Sequence, residues 1–223
     1  MRHKKKILLA MVLISTGLGL SLYKSHRPRY PISANESAAI AFIKKLSTLQ
    51  NRFQASGLVD LDRNRAGEYA FLGELLGQRP IRGSTRYFNP GKGPDPNISY
   101  VGDGIYRRCG YYFRMFLPSS TRGRMDVTEP DEGKPSPAVH VPSAEVLWRC
   151  MAWPERYGVT GNRAFVTDQS GDYLYTHGEA CRYSGLERMP AVDAFNPKGD
   201  GPYVEYTLAP NGVSRDGSRW AVG

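Results

Sequence analysis

The sequence predicts an α+β domain in which one long amphipathic helix packs on an antiparallel sheet of four to five strands joined by long loops. Three observations predict it. Apolar residues recur at helical spacing over 34–56, period-two patterns take over beyond residue 110, and no alternation of strand and helix signals would support a parallel sheet. Gly and Pro make up about 18% of the 223 residues, which fits a single globular domain with extended loops and excludes collagen-like repeats and wholesale disorder.

The chain opens with a basic cluster, Arg2 and Lys4 to Lys6, followed by a low-polarity run from Ile7 to Tyr23 and a second basic flank, Lys24 to Arg29. Seventeen helical residues span about 25 Å, which suits a single-pass signal anchor better than a cleaved leader. The denser positive cluster before Ile7 predicts a cytoplasmic amino terminus, placing the remainder in the periplasm or outside the cell. Residues 1–29 are therefore expected to form the anchor and its flanks, and 30–223 an extracytoplasmic domain. The net charge of +9 belongs largely to that anchor. Seven of the thirty basic residues lie in 1–29 with no acid among them, leaving 23 against 21 acids in the body. So balanced a body gives no phosphate-binding footprint, and no nucleic-acid partner is expected.

Pro28 and Pro31 stop the first helix. Ser33 and Glu36 then have the spacing of a capping box, and Ala39, Phe42, Leu46, Leu49 and Phe53 form an apolar stripe, with Lys44, Lys45, Thr48, Asn51 and Arg52 on the wet face. Gly57 is the stop. A short helix is expected around Phe71 to Leu76, and the Gly/Pro/Asn-rich stretch from Pro80 to Gly104 reads as loop. Tyr111, Phe113, Met115 and Leu117 mark a strand over 110–117, followed by a long loop over 118–143. Val146 to Trp153 is a second strand, apolar on both faces and hence central. Arg163–Asp168 and Asp172–Thr176 form a hairpin around Gln169-Ser170-Gly171, and Val204–Leu208 is the last candidate strand.

Asp60, Asp62 and Asn64 put three oxygen-bearing side chains on one loop, and Glu68 could add a fourth, the donor type calcium takes. Arg65 stands where an EF-hand needs Gly and Phe71 where it needs a bidentate Glu, so a solvated turn neutralised by Arg63 and Arg65 is the competing expectation. No other cofactor is expected. The three cysteines, Cys109, Cys150 and Cys181, allow at most one disulfide, in any of three pairings, or three small buried hydrophobes. Cys150 with His140, or Cys181 with His177, could form a thiol–imidazole pair, but nothing in their spacing requires it. No nucleophile elbow, SxxK motif or phosphate loop is present. The aromatic residues Tyr100, Tyr106, Tyr111, Tyr112, Trp148, Trp153, Tyr157, Tyr173 and Tyr175 read as sheet filling rather than as a binding surface. No catalytic residue is assigned.

Several stretches carry a resemblance. The helix ending Leu49-Gln50-Asn51-Arg52-Phe53-Gln54-Ala55-Ser56-Gly57, the run Asp60-x-Asp62-x-Asn64-x-x-Gly67-Glu68-Tyr69, the stretch Gly110-Tyr111-Tyr112-Phe113, and Ala152-Trp153-Pro154 with Tyr157 to Phe165 resemble bacterial envelope proteins of the type IV pilin and pseudopilin kind. The resemblance covers roughly residues 35–185. It implies a membrane-anchored, non-enzymatic assembly or interaction module with protein partners or self-assembly. The Gly-Phe processing site of prepilins is missing before Ile7. The contact surfaces are expected at the loops 82–104 and 118–143. The alternative is a secreted periplasmic ligand-binding protein or hydrolase.

Overall fold

A computed structural model describes residues 30–91, 95–120, 124–134, 138–177, 180–196 and 212–223. The expected membrane segment Ile7 to Tyr23 and the strand expected at Val204–Leu208 lie outside these residues. Among the described residues no helix is long and apolar enough to cross a membrane.

The one long helix, α1 (Ile32–Ala55), buries Ala39, Phe42, Leu46, Leu49 and Phe53, together with Ile43. Each fully buried large apolar side chain contributes roughly 1.5–3 kcal/mol, so this stripe is the main adhesive between helix and sheet. The helix stops where Gly57 takes a left-handed φ of +60°, a conformation costly for any residue with a Cβ. Its start differs from the capping box expected of Ser33 and Glu36. The Glu36 carboxylate is buried and leaves the helix to accept Asn162 N–H (2.8 Å), Arg163 N–H (3.2 Å) and Arg163 Nε–H (2.8 Å), while Asn35 Nδ2 donates to the Thr160 carbonyl. Tertiary donors outcompeted the local cap.

The expected α+β domain with four to five strands is corrected by the sheet itself, which has eight strands among the described residues and dominates the chain. These are β1 (Ile98–Gly102), β2 (Ile105–Arg108), β3 (Tyr111–Leu117), β4 (Val127–Thr128), β5 (Arg149–Pro154), β6 (Ala164–Asp168), β7 (Tyr173–Thr176) and β8 (Ala221–Val222). All pairs are antiparallel, in the order β1-β2-β3-β5-β6-β7-β8, with β4 pairing the far end of β3. Two four-residue helices, α2 (Leu72–Leu75) and α3 (Val141–Ala144), complete the elements. The extra strands come from segments with weak local signals. β1 and β2 lie at the end of the stretch expected to be loop and just after it, and β4 and β8 are two residues long.

The β2–β3 hairpin turns through Cys109 (φ +48°) and Gly110 (φ +77°) between the paired residues Arg108 and Tyr111. Two successive positive φ values match the right-handed twist of the strands, and Asn or Gly normally fills the first position. The three cysteines are free. Cys150, opposite Met115 and Thr167 in the sheet, is buried, and burial pushes its thiol pKa up.

The sheet is covered on both faces. Tyr111, Phe113, Met115, Leu117, Cys150, Ala152 and Phe165 join α1 and the 69–76 segment in one core. Phe116, Met151, Trp153, Val166 and Leu174 face a second layer built from Tyr183, Ala194, Phe195 and Trp220. β5 is consequently buried at every position, but it starts at Arg149 rather than at the expected Val146, whose side chain is exposed.

Candidate functional site

Gln50 anchors the segment that shapes the site. Fully buried on α1, its Nε2 donates to the Ala70 carbonyl (2.9 Å) while its Oε1 accepts Ala70 N–H (3.0 Å), so one side chain completes a backbone pair as a neighbouring strand would. This fixes residues 68–72 against the core and leads directly into α2.

Around α2 lies a network of buried charge. Glu68 accepts Leu61 N–H at 3.0 Å and pairs with Arg82 Nη1 at 3.3 Å. Glu74 accepts the backbone N–H groups of Phe71 (2.7 Å) and Arg82 (2.6 Å) and pairs with Arg82 Nε at 3.3 Å. Arg82 Nη2 also donates to the Tyr69 carbonyl. One guanidinium thus satisfies two carboxylates that are almost wholly shielded from water. Removing it would leave both uncompensated, a loss of about 3–5 kcal/mol.

Glu129, just after β4, extends the network. Its carboxylate accepts Gly73 N–H (2.8 Å), the Tyr106 hydroxyl (3.0 Å) and Arg79 Nε–H (2.8 Å). Burial pushes its pKa up to about 7. A Cβ at residue 73 would stand 2.2 Å from Glu129 Oε1 and 2.3 Å from the Tyr106 hydroxyl oxygen, so the approach requires glycine. Arg79 lies over the Tyr100 ring (4.5 Å). Tyr100 donates to Asp131 Oδ1 (2.6 Å), and Asp131 also pairs with Lys134, whose hydrogen bond holds the carboxyl well below the usual carboxylate range.

Above this floor opens a cleft of about 410 Å³, walled by the 79–84 turn and Tyr87 on one side and by residues 129–134 on the other. A smaller cleft of about 250 Å³ over Tyr100 and Tyr106 shares Arg79, Pro80, Tyr87 and Glu132 with it. The exposed side chain of Tyr87 stands on the shared rim, and Leu61, also exposed, reaches Gly83 on the outer side. These volumes fall in the range of sites that hold a small molecule or a few side chains of a partner. Of the groups lining the larger cleft, Glu129 has the pKa of a general acid or base near neutrality, while Ser84 Oγ accepts Arg86 N–H within its own turn.

The residues expected to bind calcium are placed differently from one another. Asp60 accepts the backbone N–H groups of Asn64 (3.0 Å) and Arg65 (3.1 Å). Asp62 accepts Asn64 N–H and Nδ2–H, and Asn64 Oδ1 accepts Ala66 N–H. These contacts hold Arg63 and Arg65 at positive φ. Glu68 is turned inward to Arg82. Among the described residues no group of three or more His, Cys, Asp or Glu is placed to hold a metal ion. His140 Nδ1 contacts Ser143 Oγ (2.8 Å), Cys150 Sγ the Met151 carbonyl, Cys181 Sγ the Asp216 carbonyl, and His177 the Tyr175 ring. Of the aromatic residues expected to fill the sheet, Tyr106, Tyr111, Trp148 and Trp153 are buried. Tyr100, Tyr112, Tyr157, Tyr173 and Tyr175 are half-buried.

Sequence reasoning missed Glu74 and Arg79, gave Tyr106 only as sheet filling, and covered Arg82, Glu129 and Asp131 only as part of the loops expected to be contact surfaces. Arg79 and Glu129 are fifty residues apart, and only the placement of β4 on the end of β3 brings them together. No family model, curated protein or solved structure matches the chain.

Proposed function

We propose that the protein is a non-enzymatic assembly or interaction module of the bacterial envelope. It is held in the inner membrane by Ile7 to Tyr23, with the domain outside the cytoplasm, and docks a partner protein in the cleft beside Tyr87. The observation that carries this reading is the meeting of the 79–87 and 129–134 segments at one concave, mixed-charge surface with an exposed aromatic rim over a rigid ion-paired floor. Aromatic and arginine side chains around a preformed hollow are the composition of interface anchors. Glu129 is bound by three donors, which suits a framework residue holding the cleft open. The motif resemblance to pilin and pseudopilin-like envelope proteins supports an assembly role, resting on the quoted residues rather than on strand number.

Two measurements test it together. In a bacterium expressing the full chain, the amino terminus is expected intact and in the membrane fraction; a terminus near residue 22 in the soluble fraction would contradict the anchor. The purified protein is expected to turn over nothing in an esterase, glycosidase and peptidase panel. An activity abolished by Glu129→Gln would establish instead a hydrolase with Glu129 as its acid or base.

A further inference from the structure

On the sheet face turned away from α1, adjacent strands carry two arginines. Arg114 of β3 lies opposite Met151, and Phe116 opposite Arg149, so the two are diagonal neighbours on one face. Arg149 is 1% exposed and Arg114 half-buried. Nε of both, and Nη1 of Arg149, are shut off from solvent without a hydrogen-bond partner. Their near contacts are rings instead, Phe116 under Arg114 at 5.5 Å and Phe195 under Arg149 at 4.2 Å. Among the described residues Asp103 acts on Arg114 through space, and Asp193 and Asp168, the latter directly opposite Arg149 on β6, act on Arg149 without a hydrogen bond to it. Asp168 binds Ser170 N–H, and Asp193 pairs with Arg215.

The contrast with the α1 side is sharp. There the shielded carboxylates Glu36, Glu68, Glu74 and Glu129 all have arginine partners. Two like charges withdrawn from water with no carboxylate among the described residues hydrogen-bonded to either destabilise a fold, and burial disfavours the charge on both. Beside them is a cleft of about 360 Å³, with Arg114, Phe116 and Thr128 along the sheet and Met189 to Val192 as the opposing wall. The acid on its margin, Asp126, is already paired with Arg124 at 2.9 Å.

We propose that this cleft binds a small organic carboxylate with an apolar body, its carboxylate on Arg114, its hydrocarbon between Phe116 and Met189 to Val192, and Arg149 behind the sheet-side wall adding positive field. The space exceeds a bare oxyanion. The wall supplies hydrocarbon where a phosphate site would supply several further donors. This site is independent of the cleft beside Tyr87.

Calorimetric titration of the full-length protein with phenylacetate, with phenylacetamide as the uncharged isostere, tests it. Phenylacetate is expected to bind, with the amide at least about tenfold weaker and Arg114→Gln weakening phenylacetate by a similar factor, the loss of one charge-assisted hydrogen bond. Ala191→Phe leaves both arginines intact and fills the cleft; it is expected to abolish binding without lowering the melting temperature. Equal affinity for acid and amide would make the cleft merely apolar and overturn the proposal. So would phenylacetate binding that survives Arg114→Gln or Ala191→Phe, or no binding at millimolar ligand.

Discussion

Replacing Gln50 by Leu keeps the side chain close in size and removes every hydrogen bond it makes. In the native protein the amide is 0% exposed and satisfies both the N–H and the C=O of Ala70, at 3.0 and 2.9 Å, with Met115 Sδ 3.0 Å from Nε2. Leu strands two buried backbone groups, each costing roughly 1–3 kcal/mol when left without a partner, so the expected loss is about 2–6 kcal/mol. Against a typical total stability of about 5–15 kcal/mol, that is a large fraction. Chemical denaturation at pH 7 reads the loss, and Asn51→Ala on the exposed face of α1 serves as a control expected to stay within about 0.5 kcal/mol. The loss should also show as faster proteolysis between residues 58 and 72, because the segment loses its tether before the whole domain unfolds. A Gln50→Leu protein within about 0.5 kcal/mol of the parent would refute the view that this amide pins the segment leading into α2.

Three further outcomes follow from the same framework. Glu129 has a pKa near 7 in the folded protein against 4.5 for an ordinary Glu, so its contribution to stability is fully present below about 4.5 and lost as pH rises through 7. Between pH 4.5 and 8 the parent should lose roughly 3 kcal/mol more than Glu129→Gln in denaturant titrations, and parallel pH profiles would contradict this. Glu36→Ala removes the acceptor of three hydrogen bonds from Asn162 and Arg163 and should cost about 3–5 kcal/mol by thermal or chemical unfolding, with Glu36→Gln falling between it and the parent. Cys109→Asn places at a φ of +48° a residue that tolerates that conformation, and should gain about 1 kcal/mol in a thermal melt; a decrease would show that the Cys109 side chain matters more than its backbone.

What could be read from the residues depended on whether the signal was local. The α1 stripe was legible because Phe42, Leu46, Leu49 and Phe53 repeat at helical spacing. β5, β6 and β7 were legible from alternating or two-sided apolar runs bounded by Pro154 and the Gly171 turn. β1 was hidden among Gly, Pro and Asn, and β2 carries two arginines in four residues. β4 and β8 exist only because longer strands offer them an edge. The same limit governs the site. Glu36 has the spacing of a capping partner, whereas its donors sit about 126 residues away. Glu68 follows a run of loop oxygen donors, whereas Arg82 draws it inward. Arg114 and Arg149 stood visibly in strand patterns, but their position on one face depends on a register that only the folded sheet defines.

The cleft beside Tyr87 is the place proposed for a partner to dock. A photo-crosslinking amino acid at position 87 in the full-length protein, expressed in cells and irradiated, reads this directly, with the exposed Leu186 position as comparison. The expected result is a discrete protein adduct from position 87, absent from position 186 and lost when Arg79→Ala is added. Adducts from both positions alike, or from 186 alone, would place the contact elsewhere and contradict the assignment of this cleft.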